Sequence, residues 1–157
     1  MENSVIDGWA VGISQEGGAA TELFVKDSTL RNNSNGLYAA TGATSADNVR
    51  FLNNNLGFAA EATVSVRGST LSGNTTAGII AGAGSSVTVE KCQVTGNGTG
   101  ITLPAASGST VRLSRSVVSG NTLGLENVGG TLEVSGNNVV RGNATDASGT
   151  ISPVGLQ

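Results

Sequence analysis

The stretch Val64-Ser-Val-Arg-Gly-Ser-Thr-Leu-Ser-Gly-Asn-Thr-Thr-Ala-Gly-Ile79 decides the fold. It reads apolar-x-apolar, then Ser-x-Leu, then a turn at Gly73-Asn74, then Gly78-Ile79. The phrase returns as Val87-Thr-Val-Glu-Lys-Cys-Gln-Val-Thr-Gly-Asn97 and as Val111-Arg-Leu-Ser-Arg-Ser-Val-Val-Ser-Gly-Asn121. A fixed period comes before any residue-level reading, because it sets the whole architecture. Aligned on the turn asparagine, the copies fall at Asn33, Asn54, Asn74, Asn97, Asn121 and Asn143, with steps of 21, 20, 23, 24 and 22 residues. Trp9 holds the same place in an earlier, variant copy, 24 residues before Asn33. A glycine and an apolar residue follow each turn, as in Gly36-Leu37, Gly57-Phe58 and Gly100-Ile101, until Asp146-Ala147 breaks the rule.

Two short segments of alternating apolar and polar residues precede each asparagine. The first contains Leu23/Val25, Thr44/Ala46, Val64/Val66, Val87/Val89, Val111/Leu113 and Leu132/Val134. The second begins at a small inward position, Ser28, Val49, Ser69, Cys92 and Ser116, and ends at Leu30, Phe51, Leu71, Val94 and Val118. Alternation with period two marks strands that bury one face. These strands lack hairpin chemistry between copies, so successive copies stack in one direction. The period therefore predicts an all-β chain: a right-handed single-stranded parallel β-helix (solenoid), with about six to seven coils of roughly 22 residues and three short strands per coil. The Leu-x-x-Leu-x-Leu frame of leucine-rich repeats and the hexapeptide period of left-handed β-helices are both absent.

Coils in such a stack repeat at about 4.8 Å, so equivalent residues form columns. The asparagine column is expected to be a structural ladder, each amide bonding to the next and to turn backbone. Cys92 is expected to be a buried small hydrophobe. Residues 1–157 read as one domain, with 145–157 as a C-terminal cap in which Ile151, Val154 and Leu156 fold over the last coil. No cap and no leader precede the first copy. We therefore expect a fragment of a longer chain, with an N-terminal end open to oligomer formation.

Composition narrows the function. Charged residues make up 12% and aromatics 3%, with 24 glycines, so Val, Leu, Ile and Ala must build the core. A net charge of -3 without a basic cluster argues against nucleic acid and anionic membranes. No apolar run reaches the roughly 20 residues of a membrane span. Histidine is absent and cysteine occurs once, which removes histidine triads, histidine metal sites and a disulfide framework. No metal or cofactor is expected.

Carboxylates remain as candidate chemistry. The outward column of the first strand reads Lys26, Asp47, Arg67, Glu90, Ser114, and the position two residues earlier reads Phe24, Ser45, Ser65, Thr88, Arg112, Glu133. Alternating signs suit rungs stacked this closely, because like charges directly opposed destabilise. The candidate binding face is therefore Phe24, Lys26, Arg67, Glu90, Arg112 and Glu133. A glycosidase needs two carboxylates about 5–9 Å apart, one of them protonated. Asp27 and Asp47 come nearest, but Lys26 and Arg67 flank them and favour two ionised groups. Ice binding would need a flat outward array of Thr or Ala, and these columns mix charge with Ser and Thr.

The phrase Val-x-Val-x-x-Ser-x-Leu-x-Gly-Asn-x-x-x-Gly-Ile resembles the right-handed β-helix proteins of the pectate-lyase-like superfamily, over about Ser4 to Thr150. More narrowly, Gly136-Asn-Asn-Val-Val-Arg-Gly-Asn143 is similar to the closing phrase of secreted bacterial β-helix proteins of unknown function. The resemblance implies a secreted or cell-surface protein. Catalytic members carry a calcium-binding aspartate cluster with a basic residue, or Asn-Thr-Asp, Asp-Asp and Gly-His segments. This chain has no Asp-Asp and no histidine, so no catalytic residue carries over. The expected function is a non-catalytic structural or binding module whose partner is a polysaccharide or a protein. The alternative is a polysaccharide lyase or glycoside hydrolase with part of its site outside this chain.

Overall fold

The computed structural model describes residues 1–105 and 107–155, and in them the chain is an all-β parallel solenoid of about 7 turns of ~22 residues. The first position of each rung holds Glu22–Lys26, Ala43–Asp47, Thr63–Arg67, Ser86–Glu90 and Thr110–Ser114. The second holds Val5–Asp7, Thr29–Arg31, Arg50–Leu52, Thr70–Ser72, Gln93–Thr95, Val117–Ser119 and Val139–Val140. The third holds Val11–Gln15, Asn35–Ala39, Leu56–Ala60, Ala77–Ala81 and Thr99–Leu103. The pairings between rungs are parallel and, apart from one shift between Asn127 and Leu132, in register, for example Val64↔Val87 and Leu71↔Val94. The described residues include no helix, and so none long and apolar enough to cross a membrane.

Register turns the sequence period into a core. Leu30, Phe51, Leu71, Val94 and Val118 stack on the second sheet, and Leu37, Phe58, Ile79 and Ile101 on the third, all fully buried. The Phe51 and Phe58 rings stack at 5.7 Å with planes 13° apart. Burying one such side chain contributes about 1.5–3 kcal/mol, and the columns repeat that gain at every rung.

Corners between strands are made by left-handed residues, again in columns. Asp27, Asn48, Gly68, Lys91 and Arg115 have φ of 47–57° at the first corner. Asn32, Asn53, Gly73, Gly96 and Gly120 do the same immediately before the ladder asparagines. The glycines after the asparagines differ. Gly36, Gly57, Gly78 and Gly100 lie inside strands and are not left-handed. Close packing between rungs requires them: a Cβ on Gly36 would stand 2.5 Å from the Gly57 carbonyl oxygen.

The ends depart from expectation. Thr145–Val154 does not fold over the last coil but adds a further parallel strand, with Leu125↔Ala147 and Leu132↔Ile151 in register. Backbone hydrogen bonding to one neighbour holds an edge strand of small residues, and Ile151 packs against the core. Val154 is exposed, and Leu156 lies outside the described residues. Glu126–Thr131 is part of the continuous strand Leu123–Ser135. The Asn127 side chain spans the irregularity, accepting from Gly130 N at 2.9 Å and donating to Gly130 O at 3.1 Å.

Among the described residues, one core position is polar without a partner. Thr44 is 2% exposed in the Val64/Val87 column, and its Oγ1 has no hydrogen-bond partner. An unsatisfied buried hydroxyl costs about 1–3 kcal/mol, so Thr44→Val should raise the unfolding free energy by ~1 kcal/mol, read as a higher denaturant midpoint.

Candidate functional site

The asparagine column is continuous. The backbone N–H of Asn33, Asn54, Asn74, Asn97 and Asn121 each donates to Oδ1 of the next asparagine at 2.9–3.0 Å. Their Nδ2 groups donate to the same oxygens at 2.8–3.1 Å. Nδ2 also reaches back to a carbonyl one rung earlier, as from Asn74 to Phe51 O at 3.2 Å and from Asn97 to Leu71 O at 3.0 Å. Each amide thus ties three rungs together. Trp9 enters this column through its backbone alone, donating to Asn33 Oδ1 at 2.9 Å while its ring is exposed.

The outward face of the first sheet carries ion pairs that run between rungs. Glu90 sits between Arg67, 3.6 Å away, and Arg115, 2.9 Å away, and Glu133 pairs with Arg112 at 2.8 Å. Lys26 lies 3.8 Å from Glu2 and 3.9 Å from Asp27, not against Asp47 in its own column. Arg115 joins the pairing from a turn, which the column reading missed. Exposed pairs of this kind contribute at most about 1 kcal/mol each. At Asp7, the last residue of the edge strand Val5–Asp7, the Asn32 amide and the Arg31 guanidinium hold the carboxyl below its ordinary range.

Asp27 and Asp47 occupy adjacent rungs, linked by Asp27 N to Asp47 O at 3.1 Å, but line different clefts. Asp47 borders a cleft of about 280 Å³ with Phe24, Lys26, Ser45, Ser65 and Arg67. Asp27 borders one of about 210 Å³ with Ser28, Asn48 and Arg50. The left-handed Asp27 lies past the strand end, and its carboxylate accepts from Asn48 Nδ2 at 2.6 Å. A third cleft, about 220 Å³, lies on the third sheet between Asn35, Tyr38, Leu56, Ile80 and Glu61. There Tyr38 donates to Glu61 at 2.9 Å, and that bond raises the phenol pKa. The only signal for it in the sequence is the chain's single tyrosine. Among the described residues, no three His, Cys, Asp or Glu side chains group closely enough to hold a metal ion.

A family model described as a right handed beta helix region matches residues 9–152. The chain belongs to that right-handed β-helix family. No curated protein and no solved structure matches it significantly.

A second polar column runs through this β-helix at the first corner. Ser69 Oγ accepts from Val49 N at 3.0 Å and donates to Arg67 O at 2.8 Å. Ser116 Oγ accepts from Cys92 N at 3.1 Å and donates to Ser114 O at 2.8 Å. Cys92 stands in the same column, 1% exposed, with its thiol 3.3 Å from Glu90 O. Burial pushes that thiol from 9.0 up to about 11. The folded protein thus holds the proton that the unfolded chain releases from about pH 9 upward. This contribution is complete below pH 9 and is lost as pH rises toward 11, a fall of order 2 kcal/mol. Denaturant titrations at pH 8 and 11 should show that loss in the parent protein and a smaller one in Cys92→Ser. An equal loss in both would remove Cys92 as the cause.

Proposed function

We infer that this β-helix is a non-catalytic binding module of a secreted or cell-surface protein, which holds a polysaccharide on the outward face of its first sheet. The observation that carries the reading is the Asp47 cleft. In it an exposed aromatic ring, Phe24, lies beside Lys26, Arg67 and two serines. An apolar ring face with hydrogen-bonding side chains at its rim suits the mixed apolar and hydroxyl surface of a sugar. Nearby carboxylates are engaged by cations or amides: Glu90 and Glu133 in ion pairs, Asp27 with Asn48 and Lys26.

Calorimetry against a panel of soluble glycans, with chromatography of each mixture, tests this. The expected result is binding without new products. Phe24→Ala and Arg67→Ala should each weaken binding roughly tenfold, the equivalent of about 1.4 kcal/mol. Tyr38→Ala, on the third sheet, should leave binding unchanged. Release of shortened or unsaturated sugars would instead place the protein with the hydrolases or lyases.

A further inference from the structure

One outward column runs along the third sheet, where register aligns Ser14↔Tyr38↔Ala59↔Ile80↔Thr102↔Glu126. Its middle is apolar: Ala59 and Ile80, with Leu56 beside them, floor the cleft of about 220 Å³. Carboxylates stand towards either end. Glu61 Oε2 accepts from Tyr38 at 2.9 Å, Glu16 Oε1 from Ser14 at 2.6 Å, and Glu126 Oε2 from Thr102 at 2.7 Å. These three carboxylates are held by hydroxyls, whereas Asp7, Glu90 and Glu133 on the other two sheets are held by arginines. A hydroxyl orients a carboxylate but leaves its charge in place.

Charge is segregated to the same face. The third-sheet strands, and the segments that lead from them to the next rung, contain Glu16, Glu61, Glu126 and Asp146 but no Lys or Arg. All eight Lys and Arg residues lie on the other two sheets or at the corners flanking the second. The net charge of -3 therefore divides into -4 here and +1 elsewhere, where eight bases meet seven acids. Among the described residues, none of the four acids on this face lies within ion-pair distance of a Lys or Arg. An apolar floor between uncompensated carboxylates complements a partner that is apolar in the middle and cationic on both sides. Anionic lipid would be repelled, and among the described residues no acids group closely enough to hold a metal ion. We propose that this face docks a basic peptide segment of a protein partner, which lays an apolar side chain on Ala59 and Ile80 and sets a Lys or Arg towards Glu61 and another towards Glu126. Tyr38 and Thr102 are three rungs apart, about 14 Å at the strand spacing, which an extended peptide covers in about four residues. The site shares no residue with the Phe24 cleft and does not depend on it.

Amide chemical shifts of the full chain, followed by NMR during titration with the peptide Lys-Thr-Leu-Thr-Lys, test this. The expected result is a shift at Tyr38, Glu61, Ile80 and Thr102 and none at Phe24 or Arg67, with binding that weakens as salt is raised. Glu61→Gln and Glu126→Gln each keep an oxygen for the hydroxyl and remove only the charge, so the fold is retained. Each should weaken binding about threefold, the scale of an exposed ion pair, and the double variant roughly tenfold. Exchanging the peptide's leucine for serine should weaken binding at least threefold, and exchanging its lysines for glutamates should abolish it. Equal binding of the leucine and serine peptides would overturn the proposal, because a counterion effect alone would explain it. Shifts confined to the first sheet, or an unchanged affinity in the double variant, would overturn it as well. If the same residues shift with protein concentration in the absence of peptide, the occupant is a second copy of this chain and the proposal fails.

Discussion

Asn74→Ala is expected to lower the unfolding free energy by about 4 kcal/mol, the largest loss from any single ladder position. The side chain is fully buried in the middle of the column. Its Oδ1 accepts from Asn54 N at 3.0 Å and Asn54 Nδ2 at 3.1 Å. Its Nδ2 donates to Phe51 O at 3.2 Å and Asn97 Oδ1 at 2.8 Å. Alanine leaves Asn54 N with no acceptor in a dry interior, which alone costs about 1–3 kcal/mol, and removes three further bonds at about 1 kcal/mol each. Asn74→Asp should be no better. It keeps the accepting oxygen but turns the donor into a second oxygen facing two others. Equilibrium denaturation measures both, and a loss under about 1 kcal/mol for Asn74→Ala would mean that water replaces the amide.

Gly57→Ala should cost about 3 kcal/mol although it adds one methyl group. That methyl would stand 2.6 Å from the Gly78 carbonyl oxygen, 3.0 Å from Asn74 Nδ2 and 3.2 Å from Asn74 Cγ. Two of these atoms belong to the ladder, so the substitutions should couple. Gly57→Ala combined with Asn74→Ala should cost less than the two losses added, because the alanine methyl no longer meets the amide. It should not be neutral, since the backbone contact at Gly78 remains. Strict additivity in the denaturation midpoints would show that glycine and asparagine act independently.

These effects mark what the sequence makes legible. Every residue that recurs at the repeat period meets its own kind one rung on, as at Val64↔Val87↔Val111 and along Asn54–Asn74–Asn97. A column can therefore be recognised without knowing any contact in advance, and the solenoid follows from the spacing. The glycine column was visible, but its reason was not, because φ and the distance between rungs cannot be seen in letters. The C-terminal rung was hidden for a different cause. Edge strands need little apolar alternation, and Ala147 and Ile151 suffice to pair with Leu125 and Leu132. The candidate site is less legible still. Asp27 and Asp47 are near in register, yet the left-handed corner at Asp27 sends the carboxylates to separate clefts. Arg115 reaches Glu90 from outside the charge column altogether. Tyr38 and Glu61 meet across a rung although neither belongs to a recurring column.

The central claim is that the repeated asparagines hold the solenoid together as one continuous ladder. Native-state hydrogen exchange at the backbone amides of Asn33, Asn54, Asn74, Asn97 and Asn121 tests it most directly, because these amides donate to side chains rather than to sheet carbonyls. A continuous ladder predicts that the interior members, Asn54, Asn74 and Asn97, exchange only through openings near the global unfolding free energy, together with the amides of Leu71 and Val94. Exchange of the ladder amides at the rate of exposed turns, while those strands stay protected, would contradict it.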